Sequence, residues 1–205
     1  MAKLTLYHAA PSRSSITRWM LEEIGEPYDV HLLSLMKGEQ RAPAYMAVNP
    51  MGKVPALKHG DVTITEAAAI CTYLADEFPK AGLNIPIGDP RRGTYLKWLF
   101  FGPSCLEAAM LDRAFPRQEG ARQSALGYGD FDTVMEVVAK AVANGPYIMG
   151  TQFTAADVII GSTLRWGTLF KLLPERPEFS AYVGRLSQRP ALQRATKKDE
   201  ELAAA

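Results

Sequence analysis

An acidic, peptide-like ligand needs exposed main-chain hydrogen-bonding groups and somewhere to put a negative charge. The stretch Asn49–Ile70, NPMGKVPALKHGDVTITEAAAI, supplies both. A turn at Asn49-Pro50-Met51-Gly52 leads into the apolar run Val54-Pro55-Ala56-Leu57, which reads as a strand. Proline cannot donate to a sheet ladder, so Val54-Pro55 belongs at an edge or bulge, or carries a cis bond that turns the backbone toward something. After His59-Gly60-Asp61 and a second extended run, Val62-Thr63-Ile64, a helix begins near Thr65 or Glu66. Its first turn offers free N–H groups and the positive end of a dipole, which suit an anion. An ordinary hairpin followed by a helix is the alternative reading of the same residues.

The elements around this stretch divide the chain near residue 80. Thr5-Leu6-Tyr7 is a short strand. The turn cluster Ala9-Ala10-Pro11-Ser12-Arg13-Ser14 then leads to Ile16, Trp19, Met20 and Ile24, whose spacing is that of an amphipathic helix closed by Gly25. Tyr28, Val30 and Leu32 alternate with Asp29 and His31. A second strand reached through a helix implies a parallel crossover. With an irregular or weakly helical segment over 38–48 and a helix over Glu66–Phe78 stopped by Pro79, the order is β-α-β-α-β-β-α. After the Gly- and Pro-rich loop from Pro79 to Pro90 no convincing strand returns. Helices are predicted near 92–111, 123–143, 155–170, 178–187 and 191–202. Thr154-Ala155-Ala156-Asp157 forms a capping-box pattern. The expected division is an α/β domain over 1–79, a linker over 80–89 and an all-helical domain over 90–205.

Composition narrows the function classes. A chain of 205 residues, 47% hydrophobic and 22% charged with formal net charge +1, is long enough to bury a sizeable core and gives no support for a nucleic-acid or membrane partner. The N-terminal MAKLTLYHAAPS lacks a signal-peptide core, and no apolar run is long enough to span a bilayer. Cys71 and Cys105, both in apolar helical contexts, make a disulfide framework improbable and read as small buried hydrophobes. The cytosol is the expected compartment.

Taken together, LYHAAPSRSS, WMLEEIGEPYDV, GEQRAPAYMAVNPMGKVPAL, DVTITEAAAICTYL and FTAADVIIG resemble a cytosolic glutathione S-transferase over nearly the full length. The third segment is most similar to the phi and theta-like serine classes. The resemblance implies a thioredoxin-like α/β N-terminal domain followed by an all-α helical-bundle C-terminal domain. It implies glutathione as co-substrate, no metal, a small hydrophobic electrophile and a homodimer in the cytoplasm.

The resemblance also implies roles for individual residues. Val54 would pair its N–H and C=O with the cysteinyl part of glutathione, as strand addition does. Pro55, cis in the family, would tilt that edge outward. Glu66 would accept from the γ-glutamyl amino group. Ala67 stands where the family usually has serine; its N–H survives, but one hydrogen bond to the γ-glutamyl carboxylate is lost. Gln40 and Arg41 align with a pair that meets the glycyl carboxylate, and Lys53 with a further polar contact; for Gln40 and Arg41 a solvated surface role is an equal alternative. The electrophile would lie between the domains, where His8, Ala9, Ala10, Phe101, Cys105, Met110 and Arg113 are candidates for its walls, with core packing the commoner role of such residues.

Thiol activation in such enzymes uses a hydroxyl at the start of the first helix, which donates to sulfur and favours the thiolate. Counting from the first strand puts Ser12 at the family's serine position, whereas counting back from Gly25 reaches Pro11. Ser14 is the second candidate and Tyr7, at the place of the phenol in tyrosine-type members, the third. No cysteine occupies the loop, which argues against a cysteine-type mechanism. A non-catalytic binding or interaction protein on the same fold is the competing function, and the missing hydroxyl at Ala67 favours it.

Overall fold

Strand β1 (Leu4–His8) is the centre of the first half, in a computed structural model that describes residues 2–116 and 122–203. Its alternation buries Leu4, Leu6 and His8 on one face and leaves Thr5 and Tyr7 half-buried on the other. β2 (Tyr28–Leu32) pairs with it in parallel, with Leu6 opposite Val30. β3 (Ala56–His59) pairs with it antiparallel, with Leu6 opposite Leu57, and β4 (Val62–Thr65) completes a sheet of order β2-β1-β3-β4. The crossover α1 (Ser14–Ile24) buries Ile16, Trp19, Met20 and Leu21. Gly25 ends it at φ 78°, donating its N–H to the Leu21 carbonyl at 3.0 Å. A left-handed C′ residue of this kind is where glycine is favoured. Between β2 and β3 lie a 3-10 turn (Glu39–Arg41) and a single helical turn, α2 (Pro43–Met46). α3 (Ala67–Glu77) follows β4. This is a mixed four-stranded thioredoxin-like arrangement.

The second half is helical. α4 (Arg92–Phe101) runs into a π-helical turn over Gly102–Glu107 and then α5 (Ala108–Ala114). Pro103 enters that turn without an N–H, so the α-helical ladder cannot continue through it and the bonding widens. α6 (Phe131–Ala143) starts eight residues later than the 123–143 span predicted from periodicity, because Asp130 caps it through a 2.8 Å bond from the Thr133 N–H. Only a 3-10 turn (Gln123–Ala125) occupies the earlier part. α7 (Ala155–Leu169) is the buried axis, and α8 (Pro177–Ser187) packs Phe179, Tyr182 and Leu186 inward. Asp157, with no exposed surface, accepts from Thr154 N–H at 2.8 Å, Ile148 N–H at 2.7 Å and the Tyr182 hydroxyl at 2.7 Å.

The last helix, α9 (Pro190–Ala203), does not group with these. The chain divides into one compact unit formed by Met1–Ala81 with Arg189–Ala205 and another formed by Gly82–Gln188. Against the expected boundary, which carried the helical domain to the C-terminus, α9 lies on α1 of the first unit. It buries Ala191, Leu192 and Ala195 there. Complementary charges fix it: Arg189 forks onto Glu23 at 2.6 and 2.7 Å, Arg194 meets Glu22 at 3.0 Å, and Lys198 also reaches Glu22. Helical periodicity says that 191–202 is a helix; only the charge pattern on α1 says which core it joins.

Candidate functional site

The loop before β3 is built to hold its backbone in one position. Asn49 accepts from Met51 N–H at 3.1 Å and donates its side-chain amide to the Lys53 carbonyl at 2.7 Å, which also receives the Tyr45 hydroxyl. Gly52 sits at φ 60°, and a Cβ there would lie 2.9 Å from the Gln40 carbonyl and 2.8 Å from Arg41 Nη1. Both the backbone conformation and the space demand glycine. Val54 follows, joined to Pro55 by a cis peptide bond, two residues ahead of the strand. Among the described residues its N–H and C=O have no hydrogen-bond partner, so one main-chain donor and acceptor are left for another molecule. The Val54 side chain packs against the small core of Leu33, Tyr45 and Ala56.

Glu66 closes β4 and caps α3 at φ 67°, ψ 119°. A non-glycine residue in this region carries about 1–3 kcal/mol of backbone strain, which persists only where the surroundings impose it. The side chain is exposed and makes no capping bond; the helix starts through its carbonyl, which receives Ile70 N–H at 2.9 Å. Ala67 is the first residue of α3 and half-buried. Its N–H is one of the groups that an α-helix leaves without an internal partner. Lys53 is exposed. The Gln40 side-chain oxygen is buried with no partner among the described residues, while Arg41 Nη1 donates to the Met51 carbonyl at 3.2 Å.

The hydroxyl candidates separate clearly. Tyr7 lies on the opposite face of β1 from His8, its ring tilted against those of Tyr45, with centroids 5.6 Å apart, and His31, 4.9 Å apart. Ser14 has no exposed surface. Its hydroxyl is surrounded by His8 Nδ1 at 2.7 Å, Ser12 Oγ at 2.6 Å, and the Ala9 N–H and carbonyl, each at 3.1 Å. Ser12 is only half-buried, and its Oγ accepts Ser14 N–H at 3.1 Å, a turn that opens α1. Of Ser12 and Ser14, Ser12 is the one with surface to offer a ligand, and the Ser15 hydroxyl is given to Asp199.

His8 has none, being fully buried, so it cannot form a wall of a substrate pocket. Its Nε2 lies 3.2 Å from Asp199 Oδ1 of α9, off the line of a hydrogen bond. Asp199 also receives Ser15 and, at 2.6 Å, Arg18. Burial pushes the Asp199 carboxyl up, but the donors and positive charge gathered around it, Ser15 and Arg18 among them, outweigh it, and the net shift is downward. Sequence reading missed this pair, since 191 positions separate its members; the signal for His8 alone was its place on the buried alternation of β1. No group of three or more His, Cys, Asp or Glu side chains among the described residues is placed to hold a metal ion, and no helix among them is long and apolar enough to cross a membrane.

The chain is similar to known proteins. Residues 2–76 match the family model described as the glutathione S-transferase N-terminal domain. The chain is 29% identical over 195 residues to the glutathione S-transferase GstA of Escherichia coli O157:H7, spanning 94% of this chain and 96% of that protein. Among solved structures, a glutathione transferase from Methylococcus capsulatus str. Bath matches with TM-score 0.81 and 29% identity over 96% of this chain and 98% of its own. A sphingomonad glutathione S-transferase complexed with glutathione matches with TM-score 0.78 and 26% identity over the same shares, 96% and 98%.

Proposed function

This chain is a member of the glutathione S-transferase family, and from that premise we propose that it binds glutathione along the Val54 edge and stabilises its thiolate for attack on a small hydrophobic electrophile. The observation that carries the reading is the unpaired Val54 backbone beside a strained Glu66 at the start of α3. Val54 pairs with the cysteinyl residue, giving affinity through main-chain bonds, with Pro55 shaping the edge. Glu66 takes the γ-glutamyl amino group, and the Ala67 N–H meets the adjoining carboxylate at the helix start. Gln40 and Lys53 meet the glycyl end, Gln40 presenting its amide N–H groups after a flip of the side chain.

Ser12 donates its hydroxyl to the cysteinyl sulfur. A free thiol has a pKa of about 8.5, and lowering it by two units needs about 2.7 kcal/mol of differential stabilisation. One charge-assisted hydrogen bond together with the dipole of α1, an 11-residue helix, supplies a contribution of that order. The protein acts in the cytoplasm as a homodimer.

Glutathione-dependent conjugation of an activated aryl chloride tests the reading, with Ser12→Ala, Ser14→Ala and Tyr7→Phe measured alongside. Ser12→Ala is expected to lower kcat/KM by about 100-fold, as loss of one transition-state donor does, and Tyr7→Phe to leave it within about twofold. The absence of a hydroxyl at Ala67 favours a second reading, a non-catalytic glutathione-fold binding protein. No activity toward a broad electrophile panel, together with no thiolate absorbance on adding glutathione, would decide for it.

A further inference from the structure

We propose that His8 is the acceptor of the thiol proton, reached from the bound thiol through the hydroxyls of Ser12 and Ser14 and held in register by Asp199 of the C-terminal helix. This rests on the reading that glutathione binds with its sulfur at Ser12.

The proton inventory of the buried cluster has few solutions. The His8 nitrogen nearest the Asp199 carboxylate is Nε2, at 3.2 Å; a hydrogen there faces the negative charge where a lone pair would be repelled, so Nε2 carries the hydrogen and Nδ1 presents a lone pair. The Ser14 hydroxyl has two acceptors in reach, the Ala9 carbonyl at 3.1 Å and Nδ1 at 2.7 Å, and it donates along the shorter contact, to Nδ1. Ser14 Oγ in turn accepts Ala9 N–H at 3.1 Å and the Ser12 hydroxyl at 2.6 Å. Ser12 Oγ already accepts Ser14 N–H at 3.1 Å and keeps one lone pair. In the free protein both hydroxyl hydrogens thus point inward to His8, and the open lone pair on Ser12 receives a thiol S–H. A Ser12 so oriented has no hydrogen to give a thiolate until the chain reverses.

Reversal and ionisation are one event. The S–H bond breaks and its proton passes to Ser12 Oγ; the Ser12 proton passes to Ser14 Oγ; the Ser14 proton passes to His8 Nδ1. The products are a thiolate and an imidazolium, with no proton gained or lost overall. Every hydrogen now points outward, from Nδ1 to Ser14, from Ser14 to Ser12 and from Ser12 to sulfur, and such chains strengthen one another. The charged groups facing His8 among the described residues are Asp199 of α9 and Arg18 of α1, which pair with each other at 2.6 Å. The thiolate is the balancing charge for the new imidazolium. Once the sulfur is alkylated, the proton leaves His8 along the same chain. His8 acts through two other side chains and Asp199 through His8, so both are positioning residues.

Histidine nitrogen NMR on the labelled protein tests this directly, with the signal of His8 among the three histidines identified by its loss in His8→Gln. At pH 7 and saturating glutathione, His8 is expected to pass from the neutral Nε2–H tautomer to imidazolium as the ultraviolet thiolate band grows. With S-methylglutathione, which has no thiol proton, it is expected to stay neutral. A thiolate band with His8 unchanged would overturn the relay while leaving glutathione binding intact. Absence of both binding and band would overturn the glutathione reading and the relay with it. In conjugation kinetics His8→Gln is expected to raise the bound thiol's apparent pKa by about one unit, a tenfold loss of thiolate below it, with KM for glutathione within about twofold. Asp199→Asn should give a smaller shift in the same direction, and a matching fall in rate at every pH would point to a packing defect and overturn the proposal.

Discussion

Asp157 is the residue whose replacement should cost the helical unit most for the fewest atoms. Its carboxylate is fully buried and divides its work: Oδ1 receives Ile148 N–H and the Tyr182 hydroxyl, each at 2.7 Å, while Oδ2 receives Thr154 N–H at 2.8 Å and Thr154 Oγ1 at 3.1 Å. Asp157→Ala strands three buried donors outside the Thr154 hydroxyl, which can turn elsewhere. At about 1–3 kcal/mol for each unsatisfied buried group, less the desolvation cost no longer borne by the carboxylate itself, the net loss is about 3–5 kcal/mol. Asp157→Asn keeps one oxygen for Ile148 and Tyr182 but sets an NH2 against the Thr154 donors, so about 1–2 kcal/mol is lost. Urea unfolding followed by far-ultraviolet circular dichroism measures both. With a slope of about 2–3 kcal/mol per molar urea, the alanine variant should unfold about 1–2 M earlier and the asparagine variant about 0.5 M earlier. An alanine variant within about 1 kcal/mol of the parent, or an asparagine variant equal to it, would refute the assignment of the stability to these bonds.

Other expectations follow from the site and from α9. On the proposed mode of binding, Ala67→Ser would set a hydroxyl beside the γ-glutamyl carboxylate and should tighten glutathione binding by about two- to tenfold in calorimetry; unchanged affinity would remove Ala67 from the site. Gly52→Ala forces a Cβ to within 2.8 Å of Arg41 Nη1 at a φ of 60°. It should lower stability by about 1–3 kcal/mol and weaken glutathione binding by displacing Val54, and full retention of both would contradict the packing described. Burial pushes the Glu22 carboxyl up, but Lys198, Tyr28 and Arg194 outweigh it and hold it below its ordinary value, as Asp199 is also held. Carboxyls lowered in the folded state add stability above their unfolded pKa of about 4, and that contribution is lost as pH falls through the lower folded values. Hydrogen exchange should therefore find α9 losing protection below about pH 4 ahead of β1, and an α9 as protected at pH 3 as at pH 7 would exclude the charge clamp.

Much of the first unit was legible because local rules and tertiary packing agree there. The period-2 alternation of β1 and the apolar spacing of α1 with its closing Gly25 are local patterns that the fold left in place. Val54-Pro55 was legible for the opposite reason, a proline where a strand should run. The start of α6 was not, because a periodic apolar pattern continues across Gly127 and Gly129 and only the Asp130 cap marks the boundary. The choice between Ser12 and Ser14 was not legible either. Two serines two residues apart have the same chemistry, and burial alone separates them.

By itself the sequence determined the order of elements, the glycine at position 52, the capping pair Thr154 and Asp157, and the backbone edge at Val54. Each depends on interactions between residues close in the chain, where spacing and residue type decide the geometry. Tertiary structure alone decided that α9 returns to the first unit and brings Asp199 to His8. That contact spans 191 positions and no spacing rule reaches across it. What selects it is the burial of Ala191, Leu192 and Ala195 together with the pairing of Glu22 and Glu23 with Arg189, Arg194 and Lys198. Those forces act between surfaces that exist only once the helices have formed, and they set a half-buried carboxylate behind the loop that carries Ser12.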